Sequence, residues 1–277
     1  MRVTTINLWL RNKVREMIFS KKNQEKASVI SVHERKRLKN IVRYHQIETI
    51  LYGLPVVAND ACTLLADIHE ILEKEIYRFE TKEKYPIIID CGSNIGISLI
   101  YFKRLYPESK IIAFEADPVI FQFLLRNISN FSLKKIEIHQ AAVWINSFGV
   151  NFQVEGGHSG RISEHSSDKN IIISPSIRLK DILETVEYID LLKLDIEGAE
   201  SEVLFDCGLS LNKCRHIFVE YHSDKDKNQD LHDILSLFFQ MGYRYHIQEA
   251  FVRKHPFVDN TNMLNMDLQL NLFFTRK

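Results

Sequence analysis

The chain has 277 residues, 45% hydrophobic and 26% charged, enough apolar material for one sizeable core and too little polarity for intrinsic disorder. Its 36 basic residues equal its 36 acidic ones, and zero net charge gives no support for a general nucleic-acid binder, which carries a basic excess. The zero is a sum of opposites, since residues 1–50 hold 12 Lys or Arg against 4 Asp or Glu (+8) and residues 51–277 hold 24 against 32 (−8).

Residues 5–20 place Ile6, Trp9, Leu10, Val14, Met17 and Ile18 at helical spacing, with Arg11, Lys13 and Arg15 on other faces. That mixture suits the surface of an anionic membrane, and equally the body of the protein or a second subunit of a homodimer. Ser20 to Asn40 is polar and basic, helical or loose. Residues 41–52 read as a helix of mixed periodicity, Gly53-Leu54-Pro55 as punctuation, and Val56-Val57 as a short strand. Residues 61–73 fit an amphipathic helix capped by Asn59 or Asp60. The texture changes near residue 80, which divides a basic, mainly helical appendage (1–80) from an α/β domain (81–277).

From Ile87 onward, short apolar runs alternate with helical stretches. Strands are expected at 87–89, 110–115, 136–140, 189–195 and 215–221, with helices at 95–105, 118–129, from Leu179, from about 198 and at 230–241. This alternation predicts a parallel sheet with helices on both faces. Residues 143–154 suggest an extended hairpin ending at Gly156-Gly157, and 171–177 another extended segment. The last strands, 243–250 and 268–275, lack a helix between them and predict an antiparallel hairpin at the sheet edge.

The chemistry concentrates at strand ends, where doubly wound folds bind ligands. Ile87 to Gly96 runs from a buried strand through Asp90, Gly92, Ser93 and Asn94 into a helix. Gly92 lets a ligand approach the main chain, and Gly96 lets the helix pack closely on the sheet. Asp90 would repel a pyrophosphate, and neither the third glycine of a dinucleotide site nor the Gly-Lys-Ser/Thr of a P-loop is present. An acidic turn suits a cationic ligand without phosphate, and S-adenosylmethionine fits. Glu115 ends the next strand beside Ala116, about twenty residues on, where a carboxylate accepts both ribose hydroxyls. The adenine is expected around Gln140, Ala141 and Ala142, where small residues admit the ring.

A third strand ends in Asp195-Ile196-Glu197-Gly198-Ala199-Glu200, and Glu197 or Glu200 can equally cap the following helix. Glu220-Tyr221-His222 follows the fifth strand. A general base is sought among Asp195, Glu197, Glu220 and His222, with Asp195, Glu220 and His222 favoured and Asp195 also touching the cofactor. His158 and Arg161, in a glycine-rich loop, are candidate acceptor contacts with Glu197, although a plain hairpin tip accounts for them too. No metal-specific spacing occurs, so no metal is expected. Cys62, Cys91, Cys207 and Cys214 form no C-x-x-C pair and read as free thiols of a reducing compartment. Without an apolar run of roughly 20 residues or a secretory signal, a cytoplasmic protein is expected, at most peripheral to the inner face of a membrane.

The segments IIIDCGSNIG, FEADP, IDLLKLDIEGAE and NLFFTRK are similar to those of the FkbM-type S-adenosylmethionine-dependent methyltransferases. Ser93 stands where that family usually carries alanine, and Leu194 fills the aliphatic place of the K-[IV]-D-[VI]-E-G-x-E pattern. The resemblance covers about residues 50–277. It implies a Rossmann-like methyltransferase fold with a mostly parallel seven-stranded sheet in the order 3-2-1-4-5-7-6. It further implies methyl transfer to oxygen, on a sugar or glycan hydroxyl or on a polyketide- or peptide-type metabolite. An NAD-dependent oxidoreductase or a non-catalytic binding protein would share the layout.

Overall fold

A computed structural model describes residues 29–154, 160–163, 170–258 and 266–276. The helix expected over residues 5–20, with its membrane or subunit contact, and His158 lie outside the described residues. The described chain opens with helix α1 (Val32–Lys39), whose Ser31 cap accepts a hydrogen bond from the Glu34 amide. Strands β1 (Ile47–Leu51) and β2 (Leu54–Ala58) then form an antiparallel hairpin. A strand stands where residues 41–52 suggested a helix. Ile47, Thr49 and Leu51 face inward while Ile50 faces out, and that one outward apolar residue disguises a period of two as helical spacing. Tyr52 and Gly53 both take positive φ, as a tight two-residue hairpin turn requires. Helix α2 (Ala61–Asp67), capped by Asp60, runs into a π-helical turn (Ile68–Glu73).

The central elements are β3 (Ile87–Cys91), α3 (Ile97–Leu105), β4 (Lys110–Phe114), α4 (Pro118–Asn130) and β5 (Ile136–His139). Next come the short strands β6 (Ala142–Trp144), β7 (Val150–Gln153), β8 (Arg161–Ile162), β9 (Ile171–Ser174) and β10 (Ser176–Arg178). Then follow α5 (Leu179–Thr185), β11 (Ile189–Leu194), α6 (Glu200–Cys207), β12 (Cys214–Asp224), α7 (Leu231–Gln240), β13 (Arg244–Glu249) and β14 (Met266–Thr275). Seven strands form one sheet, β5-β4-β3-β11-β12-β14-β13, with β14 antiparallel to both neighbours. Counting only these seven strands along the chain gives 3-2-1-4-5-7-6, the order implied by the resemblance.

Both sheet faces are covered, which explains the unbroken apolar runs. Ile88, Leu191 and Phe218 pack on one side with α3, α4 and the 30–79 segment, while Ile89, Leu192 and Ile217 pack on the other with α5, α6 and α7. The expected hairpin within 143–154 does not form. Instead β6 pairs in parallel with β10, and β7 lies antiparallel between β8 and β9.

Asn127 of α4 ties the N-terminal hairpin to this frame. Its Nδ2 donates to the carbonyls of Val57 (2.9 Å) and Ile95 (2.8 Å), and its Oδ1 accepts from the Val57 amide (2.9 Å). Asn127→Ala leaves three buried backbone groups without partners and is expected to cost about 2–4 kcal/mol of unfolding free energy. Urea denaturation checks this, and an unchanged midpoint would refute the tie.

Candidate functional site

The turn after β3 is built around backbone contacts. The amides of Gly92 and Ser93 both donate to Phe114 O (3.1 and 2.8 Å), and Asp195 N donates to Cys91 O (3.2 Å). The ends of β3, β4 and β11 therefore converge. Gly92 has φ +83°, and a Cβ there would lie 1.8 Å from the carbonyl oxygen of Asp195. The close approach is thus first to a neighbouring strand. Gly96 has φ +89°, and its Cβ would meet Leu124 of α4 at 2.7 Å, so the close packing is against another helix.

Beside this turn opens a cavity of about 1070 Å³. Of the residues expected to bind cofactor, Gly92, Ser93, Asn94, Glu115, Ala116, Ala141, Ala142 and Asp195 line it. Asp90 and Gly96 do not. Asp90 is fully buried beneath the turn, where its Oδ2 accepts from Ser98 Oγ (2.5 Å) and its Oδ1 lies 3.2 Å from Lys193 Nζ. Asp90 thus supports the turn from beneath. Phe152 and Ile162 line the wall near Ala141 and Ala142; the alternation of Val150 and Phe152 was the sequence signal for that wall.

Glu115 accepts from the amides of Asn94 at Oε2 (2.8 Å) and Asp117 at Oε1 (2.9 Å). Each oxygen keeps acceptor capacity for a ribose hydroxyl. Burial raises its pKa to about 7 against the lowering effect of both amides. The turn at Gly92, Ser93 and Asn94 on the cavity wall, the twin acceptors of Glu115 and the small Ala141 and Ala142 fit S-adenosylmethionine.

Lys193 is the site residue that the sequence reading passed over. It stands beside Asp90 in register across β11 and β3, and only 2% of its side chain is exposed. Its Nζ donates to Gly92 O (2.8 Å) and lies 3.3 Å from Asp195 Oδ2. Burial opposes its charge, but Asp90 and Asp195 outweigh burial and hold its pKa well above the usual lysine value.

Glu220 and His222 belong to β12, which continues to Asp224, rather than following it. Pairing opposite Asn271 and Gln269 of β14, they share one face. Glu220 reaches the cavity and accepts from Gln269 Nε2 (2.7 Å). Burial and the neighbouring Asp195 raise its pKa to about 7, against His222 and Gln269. His222 lies behind the wall with its Nδ1 3.1 Å from Glu200 Oε1. Burial disfavours its charge, but Glu200 and Glu197 overcome that and hold its pKa well above the usual histidine value. Its Nε2 lies 3.6 Å from Glu197 Oε2 and 3.8 Å from Glu220 Oε1, so the imidazole backs the two carboxylates that line the cavity.

Glu200 also accepts from the amides of Ile196 (3.0 Å) and Gly198 (3.1 Å), so it is the carboxylate that ties the loop to the helix start. Glu197, at φ +56°, lines the cavity, and burial raises its pKa to about 8 against His222, with Asp195 and Glu220 adding to the rise. Arg161 does not line the cavity; its Nε donates to Gln153 Oε1 (3.3 Å). Asp195, Glu220 and His222 offer oxygen and nitrogen atoms within 4.8 Å of one another. The amide nitrogen of Gln269 lies 2.7 Å from Glu220 and 3.2 Å from His222, so a cation there would have to displace it.

Residues 90–245 match the family model described as "Methyltransferase FkbM domain". Methyltransferase sdnD of Sordaria araneosa is 29% identical over 169 residues, which cover 49% of this chain and 65% of that protein. Methyltransferase 1 of Beauveria bassiana is 32% identical, covering 54% of this chain and 70% of that protein. The 2-O-methyltransferase NoeI of Sinorhizobium fredii is 28% identical, covering 51% and 65%. The chain thus spans about two thirds of the length of these relatives. The crystal structure of M. jannaschii TYW2 in complex with AdoMet resembles the chain in fold, at 12% identity and a TM-score of 0.44 over 86% of this chain and 89% of that one.

Proposed function

Since the chain belongs to the FkbM methyltransferase family, we propose that it is an S-adenosylmethionine-dependent O-methyltransferase whose acceptor is a sugar or glycan hydroxyl. The observation that carries this reading is one continuous cavity, with the ribose-type acceptor Glu115 at one end and the buried carboxylate of Glu220 at the other. The likeness to a 2-O-methyltransferase supports oxygen as the acceptor atom.

When bound, S-adenosylmethionine supplies a methyl carbon already activated by positive sulfur. Gly92, Ser93 and Asn94 would hold its amino-acid end, Glu115 the ribose, and Ala141, Ala142 and Phe152 the adenine. The chain's task is alignment, since displacement at carbon needs the acceptor oxygen in line with the breaking bond. Asp195, fixed by Lys193, borders both halves of the site. Glu220 takes the hydroxyl proton as the oxygen attacks, with a pKa near the working pH, where a general base is most effective.

Calorimetry with S-adenosylmethionine, S-adenosylhomocysteine and NAD tests the reading. Micromolar binding of the first two is expected, about −8 kcal/mol, and binding of NAD alone would overturn it. In the same assay Glu115→Gln is expected to weaken S-adenosylhomocysteine by about 10- to 100-fold, the loss of a charged hydrogen bond. The wild-type affinity should improve as pH rises through about 7, because ribose hydroxyls favour the ionised Glu115. An affinity equal in the two proteins would remove Glu115 from the ribose.

A further inference from the structure

The cavity is one-sided in charge: among the described residues that line it, nine are carboxylates and two are lysines. Lys193 pairs with Asp195, Lys74 with Glu70 and Arg78 with Glu75, and burial raises the pKa of Glu115 and Glu220 to about 7 and of Glu197 to about 8. S-adenosylmethionine, with two cationic groups and one carboxylate, adds one net positive charge, so the acidic excess is smaller than the count of nine. Glu115 and Asp117 sit at the cofactor end, where Asp117 caps α4. The rest are Asp195, Glu197 and Glu220 from the β11 and β12 side, Asp67, Glu70 and Glu75 from the segment before β3, and Glu249 on β13.

The buried lysine is not available to an anion, and the half-exposed one already pairs with a carboxylate. Lys193 is held by Asp90, Asp195 and the Gly92 carbonyl, and Lys74 by Glu70 at 2.8 Å. No arginine is among the described lining residues, so the planar fork that receives phosphate or carboxylate is missing from them. The neutral polar groups there are the amides of Gln269, Asn271 and Gln248, beside the rings of Tyr77, Phe218 and Phe273. Amides and aromatic faces suit hydroxyls and the apolar edge of a sugar ring. The wall of residues 66–77 precedes the stretch matched by the family model, so this charge belongs to the chain's own acceptor end.

We propose that the acceptor end selects a hydroxyl compound bearing no phosphate or carboxylate near the reacting oxygen, one that is neutral or amine-bearing. The proposal rests on the methyl-transfer reading and narrows its substrate class. Like-charge repulsion in a cavity of this kind discriminates by at least about tenfold.

The test uses the full chain with methyl-tritiated S-adenosylmethionine and the small-molecule pool of the source cells, the labelled product being passed over an anion exchanger. Unretained label is expected to exceed retained label by at least about tenfold, and phosphatase treatment of the pool should not lower incorporation. Label held by the exchanger would overturn the charge inference while leaving methyl transfer intact. Calorimetric binding of S-adenosylmethionine by the same preparation reports on the underlying reading separately. The double variant Glu75→Lys/Glu249→Lys should raise the retained share several-fold; an unchanged share in a folded variant would also overturn the inference.

Discussion

Glu220→Gln is expected to lower kcat by about 10²- to 10⁴-fold, the usual worth of a positioned general base. Binding of S-adenosylmethionine should stay close to that of the parent, because Glu220 stands at the acceptor end and Glu115 holds the ribose. Glutamine keeps the volume and can still pair with Gln269, so the fold is not at issue. The pH profile separates a base from a merely structural carboxylate. Glu220 acts ionised and its pKa is raised to about 7, so wild-type kcat should climb as pH rises to about 7 and then level. In the variant that limb should vanish with the activity. Stopped assays at saturating cofactor from pH 5.5 to 8.5 check both outcomes. An undiminished kcat would move the role to Asp195, the neighbouring carboxylate beside Lys193.

The same cluster marks the limit of what the sequence carries. The sheet was legible because strands covered on both faces are rich in apolar residues, as the run Ile87–Ile89 and the mostly apolar Ile189–Leu194 are, although the latter also carries Asp190 and Lys193. The cofactor half was legible because it lies within a few residues of two strand ends. The acceptor half was not. It is assembled from Tyr77, Glu220, Gln248 and Gln269, residues far apart in the chain that meet only when β14 inserts between β12 and β13. Strand ends alone did not separate Glu220 from His222, because both sit on one face of a strand that runs past the rim. Only the packing of α6, which brings Glu200 against His222, decides which of the two meets the cavity. Residues 61–73 read as one amphipathic helix, whereas the π-helical turn that borders the site has no periodic signature in so short a stretch.

Lys193→Met is expected to lower the unfolding free energy by about 3–5 kcal/mol, the cost of leaving a buried charge without its partner. Methionine matches the length of the lysine stem, so the loss falls on the ammonium group. Asp90 keeps Ser98 but loses its only ionic partner among the described residues, and the Gly92 carbonyl loses a donor at 2.8 Å. The glycine turn hangs on that carbonyl, so affinity for S-adenosylhomocysteine should fall together with stability. In acid a proton can replace the missing ammonium on the buried carboxylate. The deficit relative to the parent should therefore be smaller at pH 5 than at pH 8, since the stabilising proton is lost as pH rises. Urea titrations of both proteins at the two pH values measure this directly. A deficit below about 1 kcal/mol, the scale of an exposed ion pair, would mean that Asp90 and Asp195 are satisfied without Lys193. The turn would then owe its position to the bonds from Gly92 and Ser93 to Phe114, from Asp195 to Cys91 and from Asn94 to Glu115.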